Sequence, residues 1–77
     1  MATAFVLIGT ETGSEIDVLK DVKKINGVKE AFAVYGVYDI VAKLEAATMA
    51  ELREIVLQCI RKRGNIKSTL TLIVAEE

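Results

Sequence analysis

Residues 35–46 read Tyr35-Gly36-Val37-Tyr38-Asp39-Ile40-Val41-Ala42-Lys43-Leu44-Glu45-Ala46 and lie at the middle of the chain. Gly36 has the permissive backbone that a tight hairpin reversal needs. After it the side chains alternate between two faces, with Tyr38, Ile40, Ala42 and Leu44 on one and Asp39, Val41, Lys43 and Glu45 on the other. The stretch therefore predicts a turn at Gly36 that leads directly into a β-strand ending near Ala46.

Asp39 is the residue of this stretch with the clearest chemical potential. A carboxylate beside the free backbone amides of a turn combines an anion with hydrogen-bond donors, and such a pair suits a zwitterionic ligand. An aspartate at this position also commonly does no more than cap the turn. The residues alone leave both interpretations open.

Composition predicts one domain, residues 1–77, that buries an apolar face against a partner. The chain has 77 residues, no proline and 52% hydrophobic residues, whereas a domain of this size buries only about 60% of its unfolded surface. Its longest apolar runs fall far short of the ~20 residues of a membrane helix, and we expect no signal peptide, since the chain shows no basic start followed by a long apolar segment. Self-association is the simplest way to cover the surplus apolar surface.

Charge and residue content exclude several classes of function. The net charge is −1 with both signs scattered, which gives no electrostatic attraction for nucleic acid. There is no histidine, and Cys59 is the single cysteine, so a cysteine-cluster metal site and the usual general base are both missing. We expect no metal, no cofactor and no catalytic residue, and a cytoplasmic location.

The remaining elements follow from hydrophobic periodicity and capping signals. Strands are predicted over residues 3–8, 28–35 and 66–75 in addition to the one that ends near Ala46. A first helix starts at Ser14, carries a stripe of Ile16, Val18, Leu19, Val22 and Ile25, and stops at Asn26-Gly27. A second starts at a capping box of Thr48 and Glu51, carries Leu52, Ile55, Val56, Cys59 and Ile60, and closes with Arg61, Lys62 and Arg63 before Gly64-Asn65.

This βαββαβ order predicts an α+β fold of the ferredoxin-like type. Right-handed crossovers place both helices on one face of a four-stranded antiparallel sheet. The other face stays bare in a monomer, and we expect it to include Thr69, Thr71 and Ile73 of the last strand. Since a bare apolar face exceeds what monomers usually expose, we expect a dimer packed sheet against sheet.

Thr69 and Thr71 also admit a functional interpretation. Their hydroxyls fall at alternate positions, so they share one face of the last strand. Ordinary β-propensity and cross-strand packing account for such threonines. Alternatively, they donate hydrogen bonds to a polar ligand at a subunit boundary and, with Asp39, complete a site that suits a free α-amino acid.

These motifs together resemble a known family. The sequence contains Gly36-Val37-Tyr38-Asp39, Thr69-Leu70-Thr71-Leu72-Ile73-Val74 and Gly27-Val28. In this order and spacing they resemble the effector-binding domain of Lrp/AsnC transcription regulators, the RAM domain, named for regulation of amino acid metabolism. The resemblance covers nearly the whole chain. It departs from the family at Gly64-Asn65-Ile66, where Gly-Val is common. Family members usually carry an N-terminal helix-turn-helix DNA-binding domain, whereas we expect this chain to be a stand-alone RAM domain.

The resemblance implies a function and a site. It implies face-to-face dimers that assemble into higher oligomers, often octamers, and a small-molecule effector, commonly an amino acid, bound between dimers. Asp39 would meet the ammonium, and turn amides and threonine hydroxyls the carboxylate. A stand-alone domain would not bind nucleic acid itself, and a full-length Lrp/AsnC-type regulator is a further candidate partner. The implied ligand-binding residues are Tyr35, Gly36, Val37, Tyr38, Asp39, Thr69 and Thr71.

Two other functions stay open beside this sensing and oligomerisation module. The first is a purely structural assembly subunit, which predicts the same oligomer without a response to ligand. The second is a small ferredoxin-like enzyme with a dimeric α/β barrel, such as a monooxygenase. Those enzymes usually depend on histidine or tryptophan, and the chain contains neither.

Overall fold

The computed structural model describes residues 1–60 and 65–75 and confirms the predicted order of elements. All strand pairs are antiparallel, and the sheet order is β2-β3-β1-β4. Both helices pack on one face of this sheet, which is the ferredoxin-like α+β arrangement. The elements are β1 (Ala2–Thr10), α1 (Glu15–Lys23), β2 (Val28–Ala33), β3 (Ile40–Ala46), α2 (Met49–Ile60) and β4 (Ile66–Ile73).

The core lies between the two central strands and the helices. Alternate residues of β1 and β3 face the helices and are fully buried: Ala4, Val6, Ile8, Ile40, Ala42 and Leu44. From α2, Leu52 and Cys59 enter the core as predicted. From α1, Val18 and Val22 enter it, whereas Ile16 is exposed, contrary to the predicted stripe. Residues two apart on a helix do not share a face, so Ile16 points away from the side that Val18 buries.

The other side of the sheet, here called the open face, is apolar but contains different β4 residues from those predicted. The register pairs Thr69 with Ile8, Thr71 with Val6 and Ile73 with Ala4, so these three lie on the helix side. Leu70 and Leu72 instead lie on the open face, opposite Leu7 and Phe5. Period-two alternation separates two sets of side chains but does not say which set meets the core. That choice is made by pairing with β1.

The two predicted helix starts differ in their capping. Ser14 precedes α1 but makes no side-chain capping bond. At α2, the Glu51 N–H donates to Thr48 Oγ1 over 3.2 Å, and the Thr48 hydroxyl donates to Glu51 Oε1 over 3.2 Å. The capping box is therefore confirmed, although its return bond comes from the Thr48 hydroxyl and not from the Thr48 backbone amide. The predicted basic end of this helix, residues 61–63, and Gly64 of its predicted stop lie outside the described residues.

Gly27 positions β2 against the second helix. Its φ of +104° lies in the left-handed region that favours glycine, and its carbonyl accepts a 3.0 Å hydrogen bond from the Glu45 amide of β3. A Cβ at this position would overlap the side chain of Ile55 in α2. This glycine thus lets the turn after α1 pass directly beneath α2. Neither described helix is long and apolar enough to cross a membrane.

Candidate ligand-binding site

The β2–β3 connection is a protruding loop of residues 34–39 rather than the tight turn that the sequence predicted. β2 ends at Ala33 and β3 begins only at Ile40, and the Val34 amide donates to the Asp39 carbonyl over 2.8 Å across the base of the loop. Gly36 does adopt a φ of +149°, in agreement with its predicted role. Because the strand starts at Ile40, the predicted alternation does not extend back to Tyr38.

Asp39 is tied to the end of β1. Its amide donates to the Ile8 carbonyl over 2.9 Å. Its Oδ2 accepts a 2.8 Å hydrogen bond from the Thr10 amide and a 3.3 Å bond from the Thr10 hydroxyl. The carboxylate therefore caps a buried backbone amide of a neighbouring strand, which the residue order did not reveal. Both of these hydrogen bonds end on Oδ2, so the carboxylate has a structural role whatever else it binds.

Tyr38 and Gly9 fill the corner beside this carboxylate. A Cβ at Gly9 would lie 3.8 Å from Cδ1 of Tyr38 and 2.6 Å from Oγ of Ser68. The absence of a side chain at Gly9 thus lets Tyr38 and the start of β4 approach the same point of β1. Tyr38 is half-buried here, which makes it the anchored aromatic residue of the loop.

The tip of the loop, in contrast, touches little of its own chain. The exposed fractions are 106% for Tyr35 and 90% for Val37. Two large side chains that are this exposed keep nearly all of their contact with water. They form no pocket within one chain. The predicted site residues Tyr35 and Val37 are therefore available to a second molecule.

Thr69 lies on the other side of β1 from Asp39. Both flank Ile8: the Asp39 amide bonds its carbonyl, and Thr69 pairs with it from β4. Two strand spacings put about 10 Å between these two backbones. Thr69 is exposed, while Thr71 is half-buried two residues further along the strand. The structure thus brings Thr69 and Asp39 to one end of the sheet without placing them in contact.

A groove between α2 and β4 is a feature that sequence reasoning missed. Its volume is about 240 Å³. Arg53 is the charged residue among its lining side chains, which are Leu52, Arg53, Val56, Leu57, Thr71 and Ile73. The signal that could have found it is Leu57, a large apolar residue outside the predicted stripe of α2, which is 37% exposed. We call this feature the α2–β4 groove.

Two further depressions contain no predicted site residue. One of about 410 Å³ lies along the β2 edge beside Lys23 and Phe32, and one of about 380 Å³ lies between Gly27 and the acidic residues Glu51 and Glu54. Within residues 1–60 and 65–75, no group of three or more His, Cys, Asp or Glu side chains could hold a metal ion.

Comparison with known proteins identifies the family. The family model described as the Lrp/AsnC ligand binding domain matches residues 3–77. An uncharacterised HTH-type transcriptional regulator of Pyrococcus furiosus is 35% identical over 92% of this chain, which spans 49% of that protein. The chain therefore spans about half the length of this curated relative. The crystal structure of a hypothetical protein from Pyrococcus horikoshii superposes with a TM-score of 0.88 at 39% identity, covering 100% of this chain and 93% of that one.

Two other matches come from proteins of different kinds. Homocitrate synthases of Saccharolobus islandicus are 42% identical over 69% of this chain, but the match spans 11% of their length. A transcriptional regulator of Neisseria meningitidis, solved as a complex with L-Met, shares the fold at 20% identity with a TM-score of 0.75, over 99% of this chain and 51% of that one.

Proposed function

This chain belongs to the family of Lrp/AsnC ligand-binding domains, and we propose on that basis that it senses an amino acid and couples sensing to oligomerisation. The observation that carries the proposal is the protruding loop, where the Gly36-Val37-Tyr38-Asp39 motif presents exposed apolar side chains beside a carboxylate. A single chain leaves this site open on the solvent side. A second dimer is the natural means of closing it over a ligand.

In the proposed site each residue has a specific role. The Asp39 carboxylate is held in place by Thr10 and would bind the ammonium of the ligand. Amides of residues 35–38 and the hydroxyls of Thr69 and Thr71 would bind its carboxylate. Thr69 and Thr71 lie across β1 from Asp39. The proposal therefore requires a ligand that spans the end of the sheet, or threonines of a neighbouring copy that bind the carboxylate of the ligand. The L-Met complex of the Neisseria regulator supports an amino acid as the class of ligand.

The proposed output is a change of assembly or of partner binding. Dimers form through the open face and associate further, up to an octamer, and a full-length Lrp/AsnC-type regulator is a candidate partner in the cytoplasm. A ligand shifts this equilibrium only if it binds one assembly more tightly than another. The match to part of the homocitrate synthases supports a role in amino acid metabolism, exercised by regulation and without catalysis by this domain.

One observation favours the alternative of a purely structural subunit. The Asp39 carboxylate already accepts two hydrogen bonds from Thr10, which is sufficient reason for an aspartate at this position. Under this alternative the same oligomer forms and no amino acid stabilises it.

Thermal unfolding with each of the twenty amino acids separates the two functions. A ligand that binds only the native state stabilises it by about 2.7 kcal/mol at a concentration 100-fold above its Kd. We expect one or a few amino acids to raise the Tm at a fixed chain concentration. A panel without any shift would favour the structural alternative or a sensor of a metabolite that is not an amino acid.

The matched variant is Asp39→Asn. The Asn side-chain carbonyl can still accept the Thr10 amide, so the end of β1 keeps its cap while the negative charge is removed. We expect this variant to fold and assemble but to lose stabilisation by the amino acid. A variant that responds as strongly as the wild type would place the ammonium elsewhere.

A further inference from the structure

The open face of the sheet is apolar along one row of opposed residues and charged at one end of the next. The first row crosses all four strands and consists of Phe32, Val41, Leu7 and Leu70. The next row begins with Glu30 and Lys43 and ends with Phe5 and Leu72. Glu45 follows Lys43 on the same side of β3. We call Glu30, Lys43 and Glu45 the charged corner of the open face.

The charged corner has one cation between two anions. Lys43 Nζ lies 3.7 Å from Glu45 Oε2, and the two side chains are 37% and 27% exposed. Glu30 lies directly opposite Lys43 on β2, at a separation where opposite charges attract. The ammonium thus has a carboxylate beside it along its own strand and another across the strand pair.

A β-bulge in β2 brings Glu30 to this position. Val28 pairs with Leu44 and Glu30 pairs with Lys43, so that Lys29 is the extra residue between them. Without the extra residue, Lys29 would lie opposite Lys43, and two like charges at that distance destabilise a sheet. A bulge commonly re-aims a side chain in this way. The fold therefore builds the charged corner by a local irregularity of the edge strand.

We propose that the charged corners of two copies come together at one end of the face-to-face dimer and select which chains can pair. The inference rests on the open-face dimer of the proposed function and names the residues that choose its second member, a copy of this chain. A packing that set the corner against the apolar row of the other copy would remove water from three charges without giving them a partner. Packing corner near corner avoids this cost.

The order of charges in the corner suits a contact with itself. A two-fold interface must be self-complementary, since each surface meets its own copy. A corner of one sign would repel its copy, whereas the ammonium of Lys43 can attract the carboxylates of the other corner, and symmetry repeats this attraction. An open face with a different arrangement of charges would meet like charges at the same place. The apolar rows thus supply affinity, and the corner supplies selection.

Reversal of charge tests the selection. Lys43→Glu makes the corner entirely acidic, and the double variant Glu30→Lys with Glu45→Lys makes it entirely basic. We expect each variant alone to dimerise at least roughly tenfold more weakly than the wild type, because like charges then meet across the interface. Sedimentation equilibrium at low ionic strength measures the dimer dissociation constant, and added salt should reduce the difference.

Lys20→Glu is the matched control for Lys43→Glu. It changes the net charge by the same amount, but Lys20 is exposed on α1, on the helix side of the sheet. We expect the control to dimerise like the wild type. Equal weakening by the two substitutions would show that net charge, and not the charged corner, controls the association, and this result would overturn the inference.

A mixing experiment tests whether the two corners meet. Equal amounts of the acidic-corner and basic-corner variants should form mainly 1:1 heterodimers, counted by native mass spectrometry, because their corners then carry opposite charges. A variant that does not fold without a partner should regain its far-UV circular dichroism in the mixture. A statistical distribution of dimers, or a mixture without recovery, would show that the corners lie apart and would overturn the inference.

These outcomes are separate from those of amino acid sensing. A Lys43→Glu chain that dimerises as tightly as the wild type rejects the charged corner, whether or not an amino acid raises the Tm. A thermal panel without any shift, together with heterodimers on mixing, rejects amino acid sensing and supports the charged corner. A wild-type chain that stays monomeric would overturn both the open-face dimer and its selection by charge.

Discussion

Gly27 shows how a single position without a side chain decides the packing of two elements. A Cβ there would meet Ile55 of α2, with Cγ1 only 2.9 Å away, and its φ of +104° strains any residue with a side chain. Backbone strain and overpacking each cost about 1–3 kcal/mol. We expect Gly27→Ala to lower the free energy of unfolding by about 2–4 kcal/mol, measured by chemical denaturation at one chain concentration.

Gly13 provides the matched control for this prediction. Its φ is +87°, and no atom lies within 4 Å of the position that a Cβ would take. Gly13→Ala therefore carries the backbone strain without the overlap, and we expect a loss of about 1 kcal/mol. Equal losses for the two variants would show that α2 moves away from Gly27 at no cost, contrary to the packing described above.

At the scale of the element, the two helices differ in how they begin. Thr48 Oγ1 accepts the Glu51 amide at the start of α2, whereas Ser14 makes no side-chain capping bond at the start of α1. Removal of an N-cap side chain typically costs about 1 kcal/mol. We expect Thr48→Ala to lower the free energy of unfolding by about that amount.

The comparison variant for the cap is Ser14→Ala, measured under the same conditions. Because the Ser14 hydroxyl does not cap α1, its removal should change the free energy of unfolding by only a few tenths of a kcal/mol. Should Ser14→Ala prove as destabilising as Thr48→Ala, the capping bond of Thr48 would not account for the loss of stability measured at α2.

At the scale of the whole molecule, the open face is the surface that a monomer cannot cover. Phe32, Leu70 and Leu72 are 54%, 43% and 49% exposed there, and Leu72 lies opposite Phe5 in the register. A glutamate within a face-to-face interface would be buried without a partner charge. We expect Leu72→Glu to separate the proposed dimer into monomers, measured by sedimentation equilibrium.

Met49→Glu is the control for the open face. Met49 is 39% exposed but belongs to the first turn of α2, where a carboxylate is favourable. This variant should keep the association state of the wild type, measured as the mass of the assembly. If Leu72→Glu also keeps it, the dimer forms through a surface other than the open face.

Much of the architecture could be read from local sequence. Period-two and period-3.6 patterns predicted the six elements and their order, and the Thr48-Glu51 pair predicted the start of α2. The βαββαβ order predicted that one face of the sheet stays bare, since right-handed crossovers put both helices on the other face. The elements and the capping box depend on residues within a few positions of one another, which a local pattern can show.

Other features were decided only by the tertiary structure. The sequence determined that Thr69, Thr71 and Ile73 share a face, but pairing with β1 decided that this face is the helix side. The sequence placed Asp39 beside a turn, but its partner is Thr10, 29 positions away, and the loop that holds it is longer than a tight turn. The α2–β4 groove likewise exists only where two distant elements meet. Contacts between remote residues depend on register and packing, which no local pattern contains.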